Sequence, residues 1–359
     1  MSAWSELHLS PPVAANLEQL GWTPDHPRVR EVAATTARGH HAAVVAPPSP
    51  AWASPAMAGV LSRLIAAGSG RLLAVCPQEA VAEWAAAIAA LASGTPLRLV
   101  AAHGPARATR LLREGSADVV VAGPDTVLAL LARSALQTDS LTAIALLWPE
   151  QWATDAVLTP LMQDLSKDAQ RLIVGGEADA VAALVERYAR KAPVVGPSPL
   201  TDQTVGPVRT ASVSWQRRSA AVAELAELLD PARLTVWTAD TRLHTQLGEA
   251  LAGVAPGATF ASAAPESPAG TIIALDLPDT LTLQGLIAAG EVILLVPPGA
   301  DAWVASVAAP RRPIALPGLL TGANEDVRAR RRAIADTIEA ADRVDAALVL
   351  GPLLERYEA

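Results

Sequence analysis

Several groups of residues carry chemistry by type and spacing. Arg328-Ala329-Arg330-Arg331-Arg332 places four guanidinium groups within five positions, a pattern able to hold phosphates. The run also lies beside Glu325, Asp326, Asp336 and Glu339, so a solvated helix face is favoured and a phosphate patch is the other reading. Arg311-Arg312, held between Pro310 and Pro313, predicts a surface turn. His40-His41 follows Gly39 without a third ligand at metal spacing, so no metal site is expected there. Cys76 closes the apolar run Arg71–Val75, which predicts a buried thiol at a strand end rather than a nucleophile. It is the one cysteine in the chain and can form no internal disulfide, which suits a reducing cytoplasm.

The bulk composition narrows the class. Apolar residues make up 51% and charged residues 18% of 359 positions, and the mean hydropathy is +0.29. That is too apolar for a disordered chain and long enough for two domains, each with its own core. The longest uncharged stretch, Ala42–Ser62, contains Pro47, Pro48, Pro50 and Pro55, which oppose a helix interior, so no membrane span is expected. The first residues show no basic segment followed by an apolar one, so no secretory signal is expected. Residues 1–196 hold 15 basic and 17 acidic side chains, net −2, and the remainder 13 and 19, net −6. Nucleic-acid affinity is driven by cations, so strong general binding of that kind is disfavoured.

Strands and helices alternate, which predicts parallel sheets covered on both faces. Strand candidates are Ala42–Ala46, Arg71–Cys76, Leu97–Ala101, Asp118–Ala122, Ala143–Leu147, Gln170–Val174, Leu234–Thr238, Thr271–Leu275 and Glu291–Val296. Helices are expected at Gln78–Ala92, Asp179–Lys191, Ser219–Leu229 and Arg242–Ala252, and from Asn324 to about Leu350. Pro193–Pro207 is rich in proline and glycine and reads as a linker.

The order of short motifs resembles that of DEAD-box RNA helicases. Trp4-x-x-Leu7-x-Leu9, Leu17-x-x-Leu20-Gly21-Trp22 and Pro27 resemble the opening region of that family, where a Gln reads adenine; Val29 stands at its position. Ala43-Val44-Val45-Ala46-Pro47 is similar to the strand leading into the phosphate loop Thr-Gly-Ser-Gly-Lys-Thr. Here the loop reads Pro48-Ser49-Pro50-Ala51-Trp52-Ala53. A phosphate loop needs consecutive backbone N–H groups, glycine and a Lys; Pro48 and Pro50 remove donors and Trp52 replaces the Lys. Val75-Cys76-Pro77-Gln78-Glu79 resembles an RNA-contacting segment with Glu79 at its Arg, and Gly123-Pro124-Asp125-Thr126 resembles another with its Gly-Arg pair lost. Trp148-Pro149-Glu150-Gln151 stands where the family has Asp-Glu-Ala-Asp, whose carboxylates hold magnesium and orient water. Glu150 lies one position away from the general base. Gly175-Gly176-Glu177 aligns with Ser-Ala-Thr, Ile272–Pro278 resembles a later segment, and no Arg occurs from Asp279 to Pro310, where an arginine finger would fall.

The resemblance implies two RecA-like α/β parallel-sheet domains in tandem, the second shortened. They are expected at 1–195 and 208–321, joined by a linker at 196–207 and followed by a helical segment at 322–359. The altered positions Val29, Pro48, Pro50, Trp52, Trp148, Pro149 and Glu150 imply a silent ATP site, with no catalytic residue, cofactor or metal. The leading expectation is a catalytically inactive, cytoplasmic scaffold that binds a protein partner, with weak RNA binding through Arg328, Arg330, Arg331 and Arg332 as an additional route. An ATP-dependent helicase using substitute residues is the first alternative, and a two-domain small-molecule enzyme the second. Nine Trp against one Phe and two Tyr add a further expectation: Trp52, Trp148 and Trp152, with the prolines, fill the former nucleotide cleft. Ordinary core packing, or an exposed aromatic for a partner, is the competing account.

Overall fold

A computed structural model describes residues 4–152, 154–196, 204–266 and 268–316. Short runs of Val, Ile, Leu and Ala form seven parallel strands in the first half: β1 (Ala42–Val45), β2 (Arg71–Val75), β3 (Leu99–Ala102), β4 (Val119–Ala122), β5 (Leu141–Leu147), β6 (Gln170–Gly175) and β7 (Val194–Val195). Their order across the sheet is β3-β4-β2-β5-β6-β1-β7. The second half holds β8 (Val208–Ser212), β9 (Leu234–Trp237), β10 (Thr259–Ala261), β11 (Gly270–Ala274), β12 (Gly290–Val296) and β13 (Arg311–Pro313), in the order β10-β9-β11-β12-β8-β13, again all parallel.

The two-residue period of a strand sorts side chains onto opposite faces. Val44, Leu72, Ala74 and Val121 enter one core layer with Leu61 and Trp84. Ala43, Val45, Leu73 and Val75 enter the layer on the other side with Val127 and Leu158. Register follows this pattern, with Val44 opposite Val174 and Leu73 opposite Ile144. A third core, around Ile272, Leu283 and Leu294, belongs to the second half. Trp52 packs against both the first and the third core.

The expected two-sheet α/β architecture is present. The described residues up to Ile314 form one compact unit containing both sheets. The Asn324–Leu350 helix and the arginines at 328, 330, 331 and 332 lie outside the described residues.

Two local expectations are corrected. Arg311-Arg312 is not a turn but edge strand β13, hydrogen-bonded to β8 with its side chains exposed. Proline is tolerated at an edge, where no donor is required of it. The prolines of Ala42–Ser62 also do not exclude a helix. Pro50 occupies the first turn of the helix Pro50–Ala67, where its missing N–H costs nothing, and Pro55 sits inside the helix. The segment is half strand and half helix, and no helix among the described residues is long and apolar enough to cross a membrane.

Candidate functional site

β1, β6 and β5 are neighbours, so the turns that follow them converge at the carboxyl edge of the first sheet. This is where ligands bind in open α/β sheets. After β1 the chain turns sharply, with Ser49 N donating to Pro47 O at 2.7 Å, and enters the helix at Pro50. Ser49 is the N-cap residue and is buried. A helix N-terminus favours an anion. The anion found here is the chain's own Asp276, whose Oδ1 accepts from Ser49 Oγ at 3.0 Å.

Asp276 comes from the second half, just beyond β11, and is 4% exposed. Its Oδ1 also accepts from Arg218 Nη1 at 3.0 Å, while Oδ2 accepts from Thr238 Oγ1 at 2.6 Å and from Ala239 N at 3.0 Å. Four donors thus saturate a buried carboxylate, which is the condition for keeping it charged without water. Arg218, 5% exposed, additionally donates to Leu275 O at 3.2 Å and pairs with Glu83 of the first half. Its guanidinium lies 4.6 Å from the Trp215 ring centroid. Burial pushes the Glu83 carboxyl above the usual range, and the Arg218 charge opposes that shift.

Further contacts close the seam between the halves. Trp52 Nε1 donates to Leu277 O at 2.8 Å, and Arg28 pairs with Asp279 at 3.4 Å while lying 4.8 Å from the Trp52 ring centroid. Trp22 meets Trp52 edge-on at 6.2 Å. Thr241 Oγ1 donates to Gln19 O at 2.6 Å, and Gln216 Nε2 to Glu79 O at 3.3 Å.

Trp148 follows β5 in the left-handed region, with φ 50°, and is fully buried. Its ring stacks on Trp215 at 5.2 Å and 9°, and meets Trp84 at 4.9 Å and 55°. Three indoles from three elements therefore form a column joining the halves. Trp152 does not join it: its ring packs into the core on the opposite face of the first sheet, with Nε1 donating to Leu147 O at 3.2 Å. Val29 is fully buried in the first core, and Pro48, Pro50 and Pro149 are buried at the turns.

Glu150 acts as a tie. Its Oε1 accepts from Gly176 N at 2.6 Å, joining the turn after β5 to the turn after β6. A Cβ at Gly175 would lie 2.6 Å from Val181 and 2.8 Å from Glu150 Oε2, so glycine is required for this approach. Oε2 is buried without a hydrogen-bond partner among the described residues. Burial raises the Glu150 pKa, and the Gly176 N–H partly opposes this. A carboxyl whose pKa is raised on folding destabilises the fold at neutral pH, and that cost disappears once pH falls below its unfolded value. Glu150→Gln should therefore melt higher than the wild type near pH 7.5 and lose that advantage near pH 4; thermal melts at the two pH values check the sign.

The residues that organise the seam were largely hidden in the sequence. Asp276 lay within the Ile272–Pro278 segment, but nothing marked Ser49, Thr238 or Arg218 as its partners. Among the described residues, no three His, Cys, Asp or Glu side chains gather to hold a metal. Two cavities lie apart from Asp276 and Trp52: one of about 430 Å³ lined by residues such as Pro231 and Val254, and one of about 260 Å³ beside Glu79 and Trp152.

The architecture is a tandem pair of all-parallel sheets with intervening helices. No family model matches the sequence, and no curated protein matches it. Among solved structures, the chain is similar to a Dbp5 variant from S. cerevisiae bound to a Gle1 variant and IP6, at 14% identity and TM-score 0.49, covering 90% of this chain and 97% of that one. It is similar to a DEAD box protein from Methanococcus jannaschii at 12% identity and TM-score 0.49, covering 86% and 97%. A third is S. cerevisiae Dbp5 bound to RNA and ADP BeF3, at 13% identity and TM-score 0.45, covering 87% and 95%.

Proposed function

We propose that this protein is a helicase-like binding protein that neither binds nor hydrolyses ATP and acts as a scaffold through protein contacts, in a reducing cytoplasm. The observation that carries this reading is the Asp276 carboxylate, held by Ser49 and Arg218 at the head of the helix that follows β1. A phosphate would have to displace that buried anion, and would meet Pro48, Pro50 and an indole in place of glycine and lysine. Trp148 and Pro149 offer no ligand to magnesium, and Glu150 is committed to Gly176. Opening such a seam breaks charge-assisted bonds that no substrate is placed to replace.

ATP hydrolysis with magnesium, with and without single-stranded RNA, should stay at background. RNA-stimulated turnover would overturn the reading in favour of an active helicase. Replacing Trp52 with Lys restores only one element of the loop. Trp52→Lys should gain no affinity for a fluorescent ATP analogue and should lose about 1–3 kcal/mol of stability, because the Leu277 carbonyl forfeits its donor. An analogue titration and a urea melt of the same variant check both parts. A salt-sensitive RNA gel shift that disappears when Arg328, Arg330, Arg331 and Arg332 become Ala would indicate nucleic-acid scaffolding instead.

A further inference from the structure

We infer that the cleft at the carboxyl ends of β4, β2 and β5 receives an Arg- or Lys-bearing segment of a protein partner. The inference rests on the scaffold reading and names where its partner binds. The cleft encloses about 260 Å³ and is walled by Pro77, Pro124, Leu128, Val157 and the Trp152 indole. These strands are adjacent in the sheet, so their following turns form one concave surface, in the position where open α/β sheets hold ligands.

Two features determine the chemistry of the occupant. Glu79 and Asp125 both line the cleft, both are exposed, and no Arg or Lys lines it. Neither carboxylate makes an ion pair among the described residues, whereas Asp118, Asp155 and Asp276 each have an arginine. Negative charge without a counter-ion therefore borders an apolar and aromatic wall. Phosphate groups are repelled by that charge. A long cationic side chain fits it, because the aliphatic stem covers Leu128 and Ala156 while the head reaches a carboxylate or the indole face. The rim is also fixed in place: Gln216 of the second half donates to Glu79 O, and Trp152 is anchored on Leu147 O. The closed seam thus shapes one side of the cleft, which links the silent nucleotide site to partner binding.

The test uses the full chain and a fluorescein-labelled peptide, acetyl-Gly-Arg-Leu-Arg-Gly-amide, with Glu-for-Arg and oligouridine RNA as comparators. Anisotropy should show saturable binding of the arginine peptide, weakened about tenfold by raised salt and about tenfold in Glu79→Gln/Asp125→Asn. Both altered side chains are exposed and their carboxylates accept no hydrogen bond among the described residues, so the variant should melt with the wild type, which a thermal scan verifies. Equal binding of the Glu peptide, no binding of the Arg peptide, or unchanged affinity in the double variant would overturn the inference. Displacement of the peptide by RNA would do so as well. These outcomes are independent of ATP turnover, so failure here is distinguishable from failure of the non-hydrolysing reading.

Discussion

Arg218→Leu is expected to destabilise the protein by about 3–5 kcal/mol, the range for removing one partner of a buried ion pair. The side chain is almost wholly buried and is the cation facing Asp276 and Glu83. Its removal leaves the buried Asp276 carboxylate without its cation and the half-buried Glu83 unpaired, and takes away the donor to Leu275 O and the cation over Trp215. Adding Glu83→Gln should recover part of the loss by removing one uncompensated charge. Urea unfolding of the single and double variants checks this. Equal midpoints for wild type and Arg218→Leu would mean that the seam is not held by this pair.

Trp148→Ala should cost a similar amount, about 3–5 kcal/mol, as for truncating a fully buried aromatic. Trp148 fills the space between Trp84 and Trp215, which come from helical segments of different halves. An alanine there leaves a cavity in the middle of the column, and Trp215 loses the ring it stacks on. The offset is small: alanine at a φ of 50° remains in the region that only glycine enters freely. Chemical denaturation gives the magnitude, and the near-ultraviolet signal of the stacked indoles should fall with it.

The core strands were legible because they are continuous apolar runs. Leu72–Val75 and Ile144–Leu147 need both faces covered and can hardly be anything else. β7, β8, β10 and β13 were not legible. They are two to five residues long, and β8 and β13 carry Arg, Thr or Ser, so what makes them strands is the neighbouring edge and not their own pattern. Pro55 misled for a related reason: its helix is stabilised by the burial of most of its side chains, which outweighs one lost backbone bond. At the seam, Trp52 and Trp148 announced themselves by residue type. The role of Asp276 did not, since its partners Ser49, Arg218 and Thr238 are up to 227 positions away. Contacts at such separation are set by topology, which residue spacing does not reveal. Trp152 was expected beside Trp52 and Trp148 in the former nucleotide cleft, yet the turn after β5 sends it to the opposite face of the sheet.

A nucleotide-driven machine must open and close its cleft, whereas a seam built on Asp276 and the indole column should stay shut. The distance between labels at Arg107→Cys in the first half and Glu249→Cys in the second tests this most directly. Cys76 is fully buried, and burial raises its thiol pKa, so the introduced cysteines are the ones that react. The account predicts one narrow distance distribution that does not change with magnesium-ATP, RNA or both. A second population, or a shift when nucleotide and RNA are added, would contradict it.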